Sequence, residues 1–152
     1  MDGITILTGF FGSVLGQPRN NIARINADGT LDTAFNPNAN NEVDTITILP
    51  DGKIIIGGFF TTVGGTGRIG IARLTADGTL DPAFNLNVNS TVRSVALQPD
   101  GKILLGGDFT SIGGIVRNRL ARVAADGTLD LDFNPNVEGG DILSLADRKS
   151  VV

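Results

Sequence analysis

An all-β chain of short antiparallel strands arranged as repeats is what this sequence predicts, on three observations. A unit of 49 residues recurs without insertion or deletion: Ala23-Arg24, Ala72-Arg73 and Ala121-Arg122 keep that spacing, and so do Phe35, Phe84 and Phe133. Asp28-Gly29, Asp77-Gly78 and Asp126-Gly127 sit between apolar runs at equivalent places, and Asp-Gly there marks a tight hairpin because both residues tolerate positive φ. No window of about 11 residues carries an apolar period of 3.6, so helix is expected to be almost absent.

The unit beginning at Val92 shows the elements in order. Val92 to Gln98 reads as a first strand, Pro99-Asp100-Gly101 as a turn, and Lys102 to Phe109 as a second, nearly continuous apolar strand containing Gly106-Gly107. Ser111 to Arg117, centred on Gly113-Gly114, reads as a looser segment. Leu120 to Ala124 is a third strand, Ala125-Asp126-Gly127 a second turn, and Thr128 to Phe133 a short fourth strand. Four antiparallel strands in such a unit suit a β-propeller blade, whose repeats run roughly 40 to 50 residues.

Three units also approach the length of a β-trefoil, which is the alternative. The second strand favours the propeller, because Ile54-Ile55-Ile56 and Ile103-Leu104-Leu105 place apolar residues on both faces of a sheet. Gly57-Gly58 and Gly106-Gly107 then mark close approach of another backbone. The expected architecture is a single repeat domain over residues 1–152, with about three blades of a larger ring. Its units run about 1–42, 43–91 and 92–141; the first lacks its opening strand, because Asp2-Gly3 aligns with Asp51-Gly52. Residues 142–146 begin a fourth unit, and 147–152 read as a non-native tail.

Composition narrows the function. The 12 basic residues are scattered and outnumbered by 16 acidic ones, so no dense cationic face exists and nucleic acid is not an expected partner. Cysteine and histidine are both absent, which removes thiolate chemistry, the commonest metal ligand and the usual general base near neutral pH. No cofactor is implied. No run approaches the ~18 to 20 apolar residues of a membrane span, and no secretory signal stands in this segment.

The motifs taken together resemble the bacterial delta-60 repeat family: Pro99 to Lys102, Gly106-Gly107, Phe109-Thr110, Arg119 to Arg122, Ala125 to Asp130 and Phe133 to Asn136. The resemblance covers residues 2 to 146 and implies β-propeller repeats of unknown function, further blades, and a place in an exported or cell-surface protein. No catalytic residues come with it. The Gly-Gly strands are also similar to kelch repeats, whose characteristic Tyr and Trp are missing here.

Residues shared by all units are read as structural. Phe35, Phe84 and Phe133 are expected core anchors, and Arg24, Arg73 and Arg122 are expected to pair with Asp32, Asp81 and Asp130 rather than line an anion channel. The Asp-Gly-Thr-Leu-Asp segments are read as hairpin turns, since two carboxylates fall short of the six to eight oxygens of a calcium site. Arg19, Arg68 and Arg117 are expected at the surface, as a candidate ligand-binding ring for acidic polymers. Positions that break the repeat are Asp44 against Arg93, Asp108 against Phe10 and Phe59, and Asp132 against Ala34 and Ala83. The expected function is a non-enzymatic binding or structural scaffold, with a carbohydrate-binding module and a propeller-face hydrolase or lyase as alternatives. Expected partners are protein or polysaccharide, further blades, or another copy of the chain.

Overall fold

The computed structural model describes residues 2–147, and they form strands and turns with no helix. The first unit contains β1 (Thr5–Thr8), β2 (Ser13–Val14), β3 (Gln17–Pro18) and β4 (Ile22–Ile25). The second contains β5 (Val43–Ile48), β6 (Ile54–Gly58), β7 (Thr62–Val63), β8 (Thr66–Gly67) and β9 (Ile71–Leu74). The third repeats it as β10 (Val92–Leu97), β11 (Ile103–Gly107), β12 (Ser111–Ile112), β13 (Ile115–Val116) and β14 (Leu120–Val123).

Each complete unit is a three-stranded antiparallel sheet, in the order β5-β6-β9 or β10-β11-β14, while the first unit has only β1-β4. Equivalent register recurs, with Ile46 opposite Ile56 and Ile56 opposite Ala72 in one sheet, and Val95 opposite Leu105 and Leu105 opposite Ala121 in the next. A side hairpin, β12-β13, fills the segment that reads as loose in sequence. Its turn is Gly113-Gly114, at φ 56° and 80°, a conformation that glycine adopts without steric cost.

The expected fourth strand contracts to a single bridge in each unit: Ile25 to Leu31, Leu74 to Leu80 and Val123 to Leu129. An aspartate ends it. Asp81 Oδ1 accepts the Ala83 N–H at 3.0 Å, and the Phe84 N–H turns back to the Asp81 carbonyl. The side chain thereby offers the backbone a local turn in place of a ladder.

The cores lie between successive sheets. On β6, Ile54 and Ile56 join Ile22, Phe35 and Val43 on the side of the first unit, whereas Ile55 joins Phe84, Val92 and Leu105 on the side of the third. All of β6 is buried. A sheet covered on both faces by its neighbours is the arrangement of stacked blades, not of the trefoil alternative. Inner strands touch as well, since β5 packs on β10 and Thr47 Oγ1 donates to the Val95 carbonyl at 3.2 Å.

The paired glycines permit this stacking. A Cβ at Gly58 would overlap the Glu42 carbonyl oxygen, one at Gly107 would overlap that of Thr91, and one at Gly57 would meet Val92 of the next unit. Residues 142–147 carry no regular secondary structure. Ile142 and Leu145 nevertheless lie over Gly106 much as Val92 lies over Gly57, and the Leu145 N–H donates to Ser94 Oγ at 2.9 Å. Of the tail read as non-native, Asp147 accepts a hydrogen bond from Gln98 Nε2 at 3.3 Å. The rest, 148–152, lies outside the described residues.

Candidate functional site

The recurring polar residues hold the units to one another. Nε of Arg24, Arg73 and Arg122 donates to Asp32, Asp81 and Asp130 at 2.8, 2.9 and 2.9 Å. Each guanidinium also lies 4.4 to 4.7 Å from the ring centre of Phe35, Phe84 or Phe133, a cation–π contact. The same arginines cross the junctions: Arg24 Nη1 donates to the Ala76 carbonyl and Arg73 Nη1 to that of Ala125, both at 2.6 Å. Phe35 lies beneath the Gly78 turn and Phe84 beneath the Gly127 turn, so each ring is covered by the unit that follows.

These bonds bear on the carboxylates. The Arg24 hydrogen bond holds Asp32 below the ordinary carboxylate value, and that of Arg122 does the same for Asp130. Burial pushes Asp81 up, but hydrogen bonds from the Ala83 N–H and Arg73 outweigh it, leaving Asp81 lowered as well. In the Asp-Gly turns, Asp28 and Asp126 accept from Thr30 and Thr128, and Asp77 accepts from Thr75 and Thr79. Among the described residues no three carboxylates gather in a metal-sized cluster.

Arg19, Arg68 and Arg117 do not form the surface ring expected of them. They are only 8%, 7% and 6% exposed. Their Nη1 atoms donate to the carbonyls of Pro18, Gly67 and Val116, and their Nη2 atoms to those of Thr33, Pro82 and Leu131. Each guanidinium ties the side hairpin to the turn before the recurring phenylalanine of its own unit. Carbonyl oxygens thus engage both terminal nitrogens of each guanidinium, and burial withholds the unpartnered Nε from a polyanion.

The residues that break the repeat converge at the junction of the second and third units. Arg93 grips Asp108 with two bonds, Nε to Oδ1 at 2.8 Å and Nη2 to Oδ2 at 2.7 Å, while its Nη1 lies 3.9 Å from Asp44 Oδ2. This fork raises the Arg93 pKa, with burial opposing it. Asp44 is raised, first by burial and then by Glu42. Asp132 is not part of this cluster; it sits in the turn after β14, its N–H held by Asp130 Oδ1 at 3.1 Å.

Beside the charges runs a groove. A cleft of about 280 Å³ is lined by Phe59, Ile69, Ser90 and Thr91, and it continues into one of about 540 Å³ walled by Asn85, Asn87 and Asn89. The Asp108 N–H donates to the Thr91 carbonyl and the Phe59 N–H to that of Glu42, so the groove abuts the charged cluster. Phe59 is 58% exposed and Ile69 48%. Ile69 was detectable in sequence: it stands where the other units have Asn20 and Asn118. Those asparagines donate Nδ2 to Asn38 and Asn136 at 2.8 and 2.6 Å, a bond that isoleucine cannot make.

A family model described as a domain of unknown function (DUF5122) beta-propeller matches residues 2–35, 49–84 and 98–133. The chain belongs to this DUF5122 family. Searches of curated proteins and of solved structures returned no match. Each matched DUF5122 segment ends on Phe35, Phe84 or Phe133, the ring beneath the arginine clasp. Asp44 and Arg93 fall between matched segments, whereas Phe59, Ile69 and Asp108 fall within them. The DUF5122 pattern thus contains the clasp, and the groove joins Phe59 and Ile69 within it to residues 85–91 outside it.

Proposed function

We propose that this chain is a non-enzymatic binding segment of a β-propeller-type protein, exported or displayed at a cell surface as the resemblance to delta-60 repeats implies. The observation that carries this reading is the division of labour between positions. Recurring charged residues are engaged in contacts within and between units, while the non-recurring Ile69, Ser90 and Thr91 line one groove beside the recurring Phe59, with Phe59 and Ile69 exposed at its wall. Concave sites lined by apolar side chains with a few polar groups are where ligands bind. At the groove's end, the paired Arg93 and Asp108 supply charge fixed in position, which favours recognition.

Carbohydrate is the ligand class with a specific observation behind it. Asn85 and Asn87 stand exposed on the groove wall, offering amide donors and acceptors alongside an exposed aromatic ring, while Asn89 is held by Thr110 and Ser111. A glycan array probed with the wild-type chain and with Ile69→Asn tests both levels of the proposal. Ile69→Asn supplies the amide that the other units use to reach Asn38 and Asn136, and should leave the fold intact while closing the apolar stretch of the groove. Glycans retained by the wild type, recovered uncleaved and lost with the variant, are the expected result. Equal retention by both proteins would remove the groove from the proposal, and shortened glycans would replace binding with hydrolysis.

A further inference from the structure

The second unit lacks a hydrogen bond that the first and third both make, and the missing bond falls inside the groove. Asn20 Nδ2 donates to Asn38 Oδ1 at 2.8 Å, and Asn118 Nδ2 donates to Asn136 Oδ1 at 2.6 Å. At the equivalent pair the donor is replaced by Ile69, while its partner is kept as Asn87. The backbone is alike in all three places. Asn38, Asn87 and Asn136 hold φ of 59°, 49° and 50°, and the residues that follow the donor position, Asn21, Gly70 and Arg119, hold 66°, 72° and 64°. Asn87 is therefore presented as its counterparts are, exposed on the cleft of about 540 Å³ that Ile69 also lines. Among the described residues its side-chain amide makes no hydrogen bond, in contrast to those of Asn38 and Asn136.

Resting on the carbohydrate reading of this groove, we propose that its preferred ligand carries an N-acetylated amino sugar. The acetamido N–H donates to Asn87 Oδ1, taking the part that the Asn20 and Asn118 amides play in their own units. The acetyl methyl lies against the Ile69 side chain.

The chemistry of the pair selects this substituent among those that sugars carry. An asparagine amide offers an acceptor oxygen and donor hydrogens, and a secondary amide matches it with one N–H and one carbonyl. Hydroxyl groups could meet Asn87 as well, but they bring no hydrocarbon to Ile69, which is 48% exposed on the same cleft. A carboxylate only accepts, and an ammonium group only donates, so each would leave half of the Asn87 amide unmatched. The acetamido group is amide on one side and methyl on the other, as Asn87 and Ile69 are amide and hydrocarbon. Phe59, 58% exposed in the adjoining cleft, adds apolar surface for the neighbouring sugar ring.

Calorimetric titration of the full chain tests this with a trimer of N-acetylglucosamine, its deacetylated counterpart, and the glucose trimer of the same linkage. The wild type should bind the acetylated trimer at least about tenfold more tightly than either of the others, the worth of one hydrogen bond and a covered methyl. Asn87→Gly removes the amide at a left-handed position that glycine holds without steric cost, and it leaves Ile69 and Phe59 in place. It should lower that preference severalfold.

Saturation-transfer NMR of the wild type with the acetylated trimer gives a second reading, in which the acetyl methyl protons should be the most strongly saturated. It decides the matter if circular dichroism shows that Asn87→Gly has not folded, and strongest transfer to the ring protons overturns the proposal. Equal affinity for the acetylated and glucose trimers, both lost in Ile69→Asn, overturns the acetamido assignment and leaves the groove a carbohydrate site. A preference undiminished in folded Asn87→Gly overturns it too, since the acetyl group then lies elsewhere. Tighter binding of the deacetylated trimer overturns it in favour of a carboxylate partner. If no trimer binds while other glycans are retained on an array, the assignment fails alone; if no glycan is retained at all, it fails together with the reading beneath it.

Discussion

The inter-unit junction can be measured by placing one methyl group at two equivalent turns. Gly29 and Gly78 occupy the same position in successive units, with φ of 86° and 91°. Alanine at either must hold a left-handed backbone, at roughly 1 to 2 kcal/mol, and that cost is common to both. They differ in surroundings. At Gly29 the added Cβ meets nothing within 4 Å, whereas at Gly78 it would stand 2.8 Å from Cδ2 of Phe35 and 3.0 Å from Cε2. Phe35 is fully buried and lies against the Arg24 guanidinium, so its ring has little room to withdraw. Overpacking of a filled core costs about 1 to 3 kcal/mol, and this is the expected excess of Gly78→Ala over Gly29→Ala. Gly127→Ala, whose nearest contacts are side-chain atoms at 3.2 and 3.3 Å, should fall between them. Urea unfolding followed by far-ultraviolet circular dichroism, at protein concentrations below any association, gives the three values. Equal losses at Gly29 and Gly78 would refute the packing of Phe35 beneath the second unit's turn.

The remaining predictions concern charge. Arg73→Ala should cost about 3 kcal/mol, the low end for breaking a buried pair, because Arg73 and Asp81 are 6% and 8% exposed but Lys53 Nζ remains 3.5 Å from Asp81 Oδ2. The exchange of Arg73→Asp with Asp81→Arg should recover only part of that loss, since Arg73 also serves the Ala125 carbonyl and the Phe84 ring; full recovery in urea titrations would show that those contacts contribute nothing. In acid, Asp32, Asp81 and Asp130 act together, because their folded pKa values lie below the ordinary 3.8. Their contribution is present above the unfolded value and is lost as pH falls through the folded one, so stability should decline below about pH 4. Asp44 has the opposite sign: its raised pKa favours folding in acid and the benefit is lost as pH rises through the folded value. At neutral pH, Asp44→Asn should therefore be no less stable than the wild type, and a clear loss in a thermal melt there would contradict the assigned environment.

The 49-residue period makes Asp-Gly turns, β6 and β11 legible in the chain, because hairpin chemistry and a doubly covered strand both leave local patterns. The side hairpin β12-β13 leaves almost none: two-residue strands are too short for periodicity, and Gly113-Gly114 alone reads as looseness. Arg19, Arg68 and Arg117 read as surface residues for a different reason. Their partners are carbonyl oxygens, which every residue possesses, so no complementary side chain betrays the burial. The groove was half legible. Asp44, Arg93 and Asp108 stand out by breaking the repeat, but that the fork joins Arg93 to Asp108 and leaves Asp132 aside follows from the stacking of β5 on β10 and the turn at Asp130.

The crossing arginine gives the chain a property at the level of the gene. Because Arg24 meets Ala76 as Arg73 meets Ala125, a duplicated or deleted stretch of 49 codons would leave the remaining junctions with the same partners. Unequal recombination within such a gene could change the number of units without first requiring new interface residues to arise. Point changes at Ile69 or Arg93 could then diversify one junction while its neighbours keep the array folded.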